Sequence, residues 1–346
     1  MRKASFRQMS FGVEALDEET FLPKRQDREA SRTSGSCGLD APEGWTYPAE
    51  FQTLVGEDNF IAVVHIDGNA MGARVESIYG AQAEDWDNCC AKLRRFSEGI
   101  QRDFEQAFLE MADEVIGRNF DFVQPPNLPI RPVILAGDDV CFVTAGKLGL
   151  ECARVFLEKL TAKCNQEDGK PYAACAGVAM VHQKFPFHQA YDLAVELCSN
   201  AKKFGAAIDQ ESRISAMDWH IEFGQLKDSL NELRQDYNTE DGNRLELRPV
   251  TVVVPEGCHN AGVRSYAFFA GMCRAMKGEY GKIARSKIKE LRTAFKQGEK
   301  ESKFFLHDKE IDQLLYHAVN AEYADADARH ALYLRMQNEK ELLDKA

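Results

Sequence analysis

Three aspartates stand where carboxylates can do metal-assisted chemistry. Asp67 closes the apolar run that begins at Phe60, so it emerges where a buried strand leaves the core. Asp138 and Asp139 follow Ala136 and Gly137 between the runs VILA (133–136) and VCFVT (140–144), a pattern of strand, tight turn and strand. Converging carboxylates raise one another's pKa values, and a hard, oxygen-preferring cation such as Mg2+ or Mn2+ neutralises them. Two such ions about 3.5–4 Å apart can activate an attacking hydroxyl and stabilise a leaving pyrophosphate. Asp67 and Asp139 are the expected bridging ligands, with Asp138 next. An ordinary acidic hairpin turn is the competing reading.

The residues after Asp67 are suited to phosphate. Gly68 and Gly72 permit close backbone approach to a triphosphate, and Asn69 is placed to meet phosphate or ribose. No Gly-Lys-Ser/Thr follows, so this is not a P-loop; a flexible connection into a helix is the alternative. Downstream, Lys202 and Lys203 close a helical pattern, and either can neutralise β- and γ-phosphates, although a cation at a helix C-terminus is common. Ser199 and Asn200 are candidates to face the base, and Lys184 is a weaker phosphate candidate. His65 lies two residues before Asp67, hence on the same strand face, where packing or hydrogen bonding is expected rather than metal ligation. His182 and His188 show no convergence with other ligand types.

The elements that must position these groups follow in order. A strand at 59–68 precedes a helical pattern at about 84–115, in which Leu93, Phe96, Ile100, Phe104, Phe108 and Met111 share one face. A proline-rich connector, the hairpin, a helix at 148–164, an Ala/Val-rich strand and a helix at about 187–204 complete the series. This order predicts an α+β fold, a ferredoxin-like nucleotidyltransferase or cyclase palm with helices packed on one face of a small sheet. The expected organisation is a polar extension at 1–57, a palm at 58–210 and a mostly helical domain at 211–346. In the last domain, helices are expected near 225–236, 262–278, 281–297 and 308–340, with short strands at AMDWHIEFG and LELRPVTVVVP.

Composition sets outer limits. The net charge of −12 argues against indiscriminate nucleic-acid binding. A local basic stripe of Lys282, Arg285, Lys289 and Arg292 could face RNA, a nucleotide product or an acidic partner, with a solvated helix face the more ordinary reading. The 10 cysteines contain no Cys-x-x-Cys, and Cys141, Cys152 and Cys198 have the apolar neighbours of core residues. With no secretory h-region and no bilayer-length apolar run, a cytoplasmic, non-membrane protein is expected.

Taken together, HIDGNAMG (65–72), LAGDDV (135–140), the long segment 176–203, ISAMDWHI (214–221) and ARSKIKELRTAFKQG (284–298) give a more specific pattern. Over roughly residues 59–300 the chain resembles the catalytic palm and following helical region of the Cas10/Cmr2 superfamily, the large subunit of type III CRISPR complexes. The resemblance implies a metal-dependent nucleotidyltransferase that converts ATP to cyclic oligoadenylate, a second messenger in antiviral defence, with release of pyrophosphate. The family's Gly-Gly-Asp-Asp maps onto Ala136, Gly137, Asp138 and Asp139, with Ala136 the departure. Asp67 maps onto the first metal aspartate, Asn69 onto a position acidic in many relatives, and Lys202, beside Lys203, near the phosphate-binding lysine. The first histidine is His65, inside the palm, so the usual His-Asp nuclease is not expected, and a compact or stand-alone single-palm member is. A homodimer through the palm face and an RNA or CRISPR-complex partner are further implications. A cyclic dinucleotide synthase on the same palm, or a non-catalytic RNA- or protein-binding scaffold, are the alternatives.

Overall fold

The computed structural model describes residues 38–54, 59–81, 86–117, 126–222, 230–234, 238–242, 245–258, 264–277 and 285–309. Their centre is one six-stranded sheet. Strand β1 (Phe60–Gly68) lies between β3 (Asp139–Ala145) and β4 (Ala174–His182), antiparallel to both. β2 (Ile130–Ala136) pairs with β3 as the outer arm of the hairpin, and Pro132, which has no N–H to donate, sits on this edge strand beside a register shift. The order β2-β3-β1-β4 is the ferredoxin-like arrangement expected from the sequence.

The sheet continues further. β5 (Ser215–Ile221) runs parallel to β4, and β6 (Val250–Val253) pairs antiparallel with β5. Both strands lie beyond residue 210, so the segment after the palm supplies two strands of the same sheet as well as helices.

Alternation along β1 separates two cores. Ala62, Val64 and Ile66 face α2 (Trp86–Gly117) and α3 (Gly149–Thr161), in the cluster that contains Phe104, Phe108, Phe142 and Phe156. Ring pairs Phe104–Phe156 and Phe108–Phe142, with centroids 6.1 and 5.7 Å apart, tie both helices and β3 together. On the opposite face, Ile61 and Val63 pack against α4 (Phe187–Ile208) through Ala190, Ala194 and Leu197.

The sheet is therefore covered on both faces, and the one-sided arrangement expected from the sequence is corrected. The cause is local. Gly177 on β4 faces α4, and a Cβ there would lie 1.9 Å from the Ala194 carbonyl oxygen and 2.4 Å from the Cys198 backbone nitrogen. A bare backbone at Gly177 and an alanine-rich helix face let α4 settle directly on the strands.

The loop after β1 gives way at once to α1 (Met71–Ala81), so Gly72 belongs to a helix rather than to an open connection. Arg74 anchors α1. Its guanidinium forms a two-pronged pair with Asp168 at 2.7 and 2.8 Å and lies over the rings of Phe96 and Tyr172.

Beyond the sheet lie α5 (Leu230–Arg234), α6 (Tyr266–Lys277), α7 (Arg285–Gln297) and α8 (Glu299–Asp308). The helix expected at 308–340 falls almost wholly outside the described residues, as do most of the N-terminal extension and Lys282. Among the described residues no helix is long and apolar enough to cross a membrane. The described cysteines are free thiols, with Cys141, Cys152 and Cys198 buried as expected.

Candidate active site

The end of β1 and the tip of the β2–β3 hairpin meet at one point. Asp67 pairs directly with Asp139 across the two strands. Both share the α4 face with Ile61, Val63 and Cys141, because side chains two residues apart project to the same side. Directly opposed residues of an antiparallel pair have Cα atoms about 4.5–5.5 Å apart, so two carboxylates on one face stand side by side. Their side chains are 43% and 46% exposed, which leaves both accessible to a ligand.

Asp138 is the second residue of the two-residue hairpin loop. Gly137 precedes it with φ +64°, the sign that the first loop position of a type II′ turn needs. The Asp138 carbonyl accepts from the Gly68 N–H at 3.2 Å. A Cβ at position 68 would approach the Asp138 Cβ to 2.9 Å and the Met71 side chain to 2.8 Å. Gly68 is thus needed for close approach of strand end and hairpin tip.

Burial pushes the carboxyls of both Asp138 and Asp139 above the usual carboxylate range. For Asp139, His65 and Lys202 offset part of that rise while Asp67 adds to it; for Asp138, its own backbone N–H and Lys202 offset it while Asp67 and Asp139 add to it. Burial also pushes the neighbouring Cys141 thiol up to about 12, leaving it unreactive.

α4 brings the cation. Lys202 Nζ lies 2.8 Å from Asp67 Oδ1 and 2.8 Å from the Gly68 carbonyl oxygen. Lys203, one residue on, is exposed and away from this contact, so the two candidate lysines separate into one at the carboxylates and one on the surface. Ser199 is also exposed. Asn200 turns elsewhere: its amide donates to Asp218 Oδ2 at 2.7 Å, and Asp218, fully buried on β5, is paired with Arg234 at 2.6 Å. That contact ties α4 to the later part of the sheet.

Asn69 is buried rather than open to a ligand. Its amide nitrogen donates to the Ser212 and Ile214 carbonyls at 3.2 and 2.9 Å. The next residue, Ala70, has φ +56°, a costly conformation for a residue with a Cβ. Gly72 is exposed with open space around it. Lys184 and His182 lie at the far end of β1, where Phe60 pairs with His182; seven residues of strand place them about 23 Å from Asp67. Neither belongs to the site, and His188 is exposed near the start of α4.

One supporting residue has no signal in the sequence. Gln101, from the middle of α2, accepts from the Gly137 N–H and donates to the Leu135 carbonyl at 3.1 Å. A glutamine on a helix edge looks like ordinary surface, but here it clamps the hairpin tip.

The donors fit a divalent ion. Asp67 Oδ1 and the Gly68 carbonyl already converge on one cationic group, the Lys202 ammonium, and every donor is a hard oxygen. Among the described residues no three His, Cys, Asp or Glu side chains are grouped to hold a metal ion, so the convergence of all three aspartates expected from the sequence is not seen and Asp138 stands apart from the Asp67–Asp139 pair. An open set of two carboxylates and a carbonyl suits magnesium, which keeps several waters and takes other ligands from substrate phosphates.

Residues 60–208 match the family model described as Cas10/Cmr2, second palm domain. This segment is similar to a Cas10/Cmr2 palm. The match runs from the start of β1 to the end of α4, so it contains the three aspartates and Lys202; β5, β6 and the later helices lie outside it. No curated protein matches the chain. Solved structures with remote likeness include the GGEEF domain of a diguanylate cyclase from Vibrio cholerae, at 12% identity and TM-score 0.29, covering 43% of this chain and 80% of that one. A Csm1–Csm4 cassette in complex with cA4 matches at 17% identity and TM-score 0.31, covering 42% of this chain and 20% of that one. The GGDEF domain of DgcB from Caulobacter crescentus, in complex with c-di-GMP, matches at 11% identity and TM-score 0.25, over 42% and 74% of the two chains.

Proposed function

We propose that the palm is a metal-dependent nucleotidyltransferase that joins ATP into cyclic oligoadenylate. The observation that carries the proposal is the direct pairing of Asp67 with Asp139 on one sheet face, with the Lys202 ammonium on Asp67. The family match over the same residues supports it, and the adenine and cyclic-oligomer parts rest on the resemblance to that family.

In this reading Asp67, Asp139 and the Gly68 carbonyl hold magnesium or manganese, with Asp138 at the hairpin tip as a further carboxylate. The bound ions supply Lewis-acid activation of a ribose 3′-hydroxyl and charge neutralisation at the leaving pyrophosphate. The hydroxyl oxygen bonds to the α-phosphorus of a second ATP as the α–β anhydride bond breaks, and the hydroxyl proton passes to solvent. Lys202 supplies positive charge to the β- and γ-phosphates. Gly68 keeps the hairpin tip and strand end close enough for one nucleotide to meet both. Repetition and a final intramolecular transfer give the ring.

A homodimer that places nucleotides between two palms, and service within an RNA-guided CRISPR complex, are the partner arrangements that suit this chemistry. The test incubates the purified chain with ATP and magnesium or manganese and resolves products by liquid chromatography and mass spectrometry. Cyclic adenylates lost in Asp139→Ala support the proposal. A cyclic dinucleotide, or binding of a partner with no ATP turnover, overturns it.

A further inference from the structure

His65 is buried on β1 two residues before Asp67, opposite Cys141, and its ring is pinned edge-on against Tyr191 of α4, with centroids 5.7 Å apart. Its Nδ1 lies 3.4 Å from Asp139 Oδ1. Each of these atoms is buried from solvent and neither makes a hydrogen bond, so at 3.4 Å they face each other short of a formed bond. Two acceptor lone pairs facing each other would repel, so a proton on Nδ1 turns this facing pair into a donor and an acceptor. The Asp139 side chain is nevertheless 46% exposed, and since Oδ1 is covered, the carboxylate's accessible oxygen is Oδ2.

We propose that His65 is a positioning residue for Asp139, donating Nδ1–H to Oδ1 so that Oδ2 alone is presented beside Asp67. This rests on the reading of the site as a divalent-metal site. The histidine makes no contact with substrate or ion; it sets which carboxylate oxygen is available and the angle at which it points. Ligating carboxylates commonly depend on such outer hydrogen bonds, whose loss weakens metal binding by roughly 10- to 100-fold.

Because Nδ1 is the contacting atom, the substitutions sort cleanly. An asparagine places its amide N–H near the position of Nδ1, a glutamine carries it farther out, and a phenylalanine keeps the ring but has no donor. Manganese binding to the full chain, followed by the electron paramagnetic resonance of free Mn2+, is measured for wild type, His65→Asn, His65→Gln, His65→Phe and Asp139→Ala, with melting temperatures recorded alongside. The expected result is near-wild-type affinity in His65→Asn and a loss of roughly 10- to 100-fold in His65→Phe and His65→Gln. If the phenylalanine variant does not fold, the glutamine variant supplies the comparison. Phenylalanine or glutamine binding as tightly as wild type overturns the inference, as does asparagine binding as weakly as they do, since ring packing would then be the role of His65. Mn2+ binding lost in Asp139→Ala but indifferent to every His65 substitution overturns this inference alone. Wild type with no Asp139-dependent Mn2+ binding overturns the site reading, and the inference with it.

Discussion

Asp67 and Asp139 are a directly paired couple across strands β1 and β3, on the sheet face that α4 covers. Like charges this close destabilise a strand pair, and burial already pushes the Asp139 carboxyl above the usual range. The fold bears this arrangement with one lysine as the partial counter-charge. Asp139→Asn should therefore melt no lower than wild type in the absence of metal, and magnesium should raise the melting temperature of wild type while leaving the variant unchanged. Nucleotide turnover should fall by at least about 100-fold, since the variant removes a ligand rather than a packing group. A variant that melts well below wild type in metal-free buffer would contradict this account.

Lys202 and Lys203 separate on geometry, and so should their variants. Lys202→Met removes the ammonium from Asp67 and the Gly68 carbonyl and should raise KM for ATP roughly 10-fold or more, about 1.4 kcal/mol or more. Lys203→Met should leave KM within about twofold, because its side chain is exposed and apart from the carboxylates. Steady-state kinetics on the pair checks this; equal effects would mean that the site draws on both cations. Little stability should be lost in either case, because a pair as exposed as Lys202–Asp67 contributes only about 0–1 kcal/mol.

Much of this was legible in the sequence because it lies in apolar runs and turn chemistry. β1, the hairpin and the helical period of α2 are local patterns, and Asp67, Asp138 and Asp139 mark the ends of such runs. What was hidden is what depends on distant partners. The sequence does not say which sheet face α4 covers; that follows from Gly177 meeting the α4 backbone. A short strand is legible at β5, but not that it joins the palm's sheet or buries Asp218 completely; that depends on Arg234 and Asn200 as its partners. Asn69 resembles a ligand by position, yet its amide holds the chain leading into β5.

The close seat of α4 on Gly177 gives a sharp contrast between two glycines. In Gly177→Ala the new Cβ would fall 1.9 Å from a main-chain oxygen of α4, so the helix must move, and it carries Lys202 one turn beyond the clash. A loss of about 3 kcal/mol in urea denaturation is expected, at the upper end of the usual overpacking range, together with weakened ATP binding. Gly205 sits in the same helix, but a Cβ there meets only Ile214 and Ala216 at 3.5–4.0 Å, ordinary contact distances. Gly205→Ala should be neutral or stabilise by about 0.5–1 kcal/mol through helix propensity. Equal sensitivity at the two positions would refute the role given to Gly177.

The pair Arg74–Asp168 makes the anchoring of α1 sensitive to acid. Burial alone would raise the Asp168 carboxyl, but its bonds to Arg74 and to the Lys170 N–H outweigh that and hold it below the usual range. A carboxyl depressed in the folded state binds its proton more readily when unfolded, at an ordinary pKa of about 3.9. Its contribution to stability is then complete above that value and is lost as pH falls through the lower folded value. Stability of wild type should thus decline below about pH 4, and Asp168→Asn should show a shallower decline over the same window. At neutral pH the variant should be less stable by about 3–5 kcal/mol, because Arg74, 8% exposed at its side chain, would remain buried without its counter-ion. Because only Asn69 and Ala70 separate α1 from the end of β1 that carries Asp67, the same variant should also show reduced turnover at neutral pH. Denaturant melts from pH 3 to pH 7 test the linkage; parallel curves for wild type and variant would show that the pair does not anchor the helix.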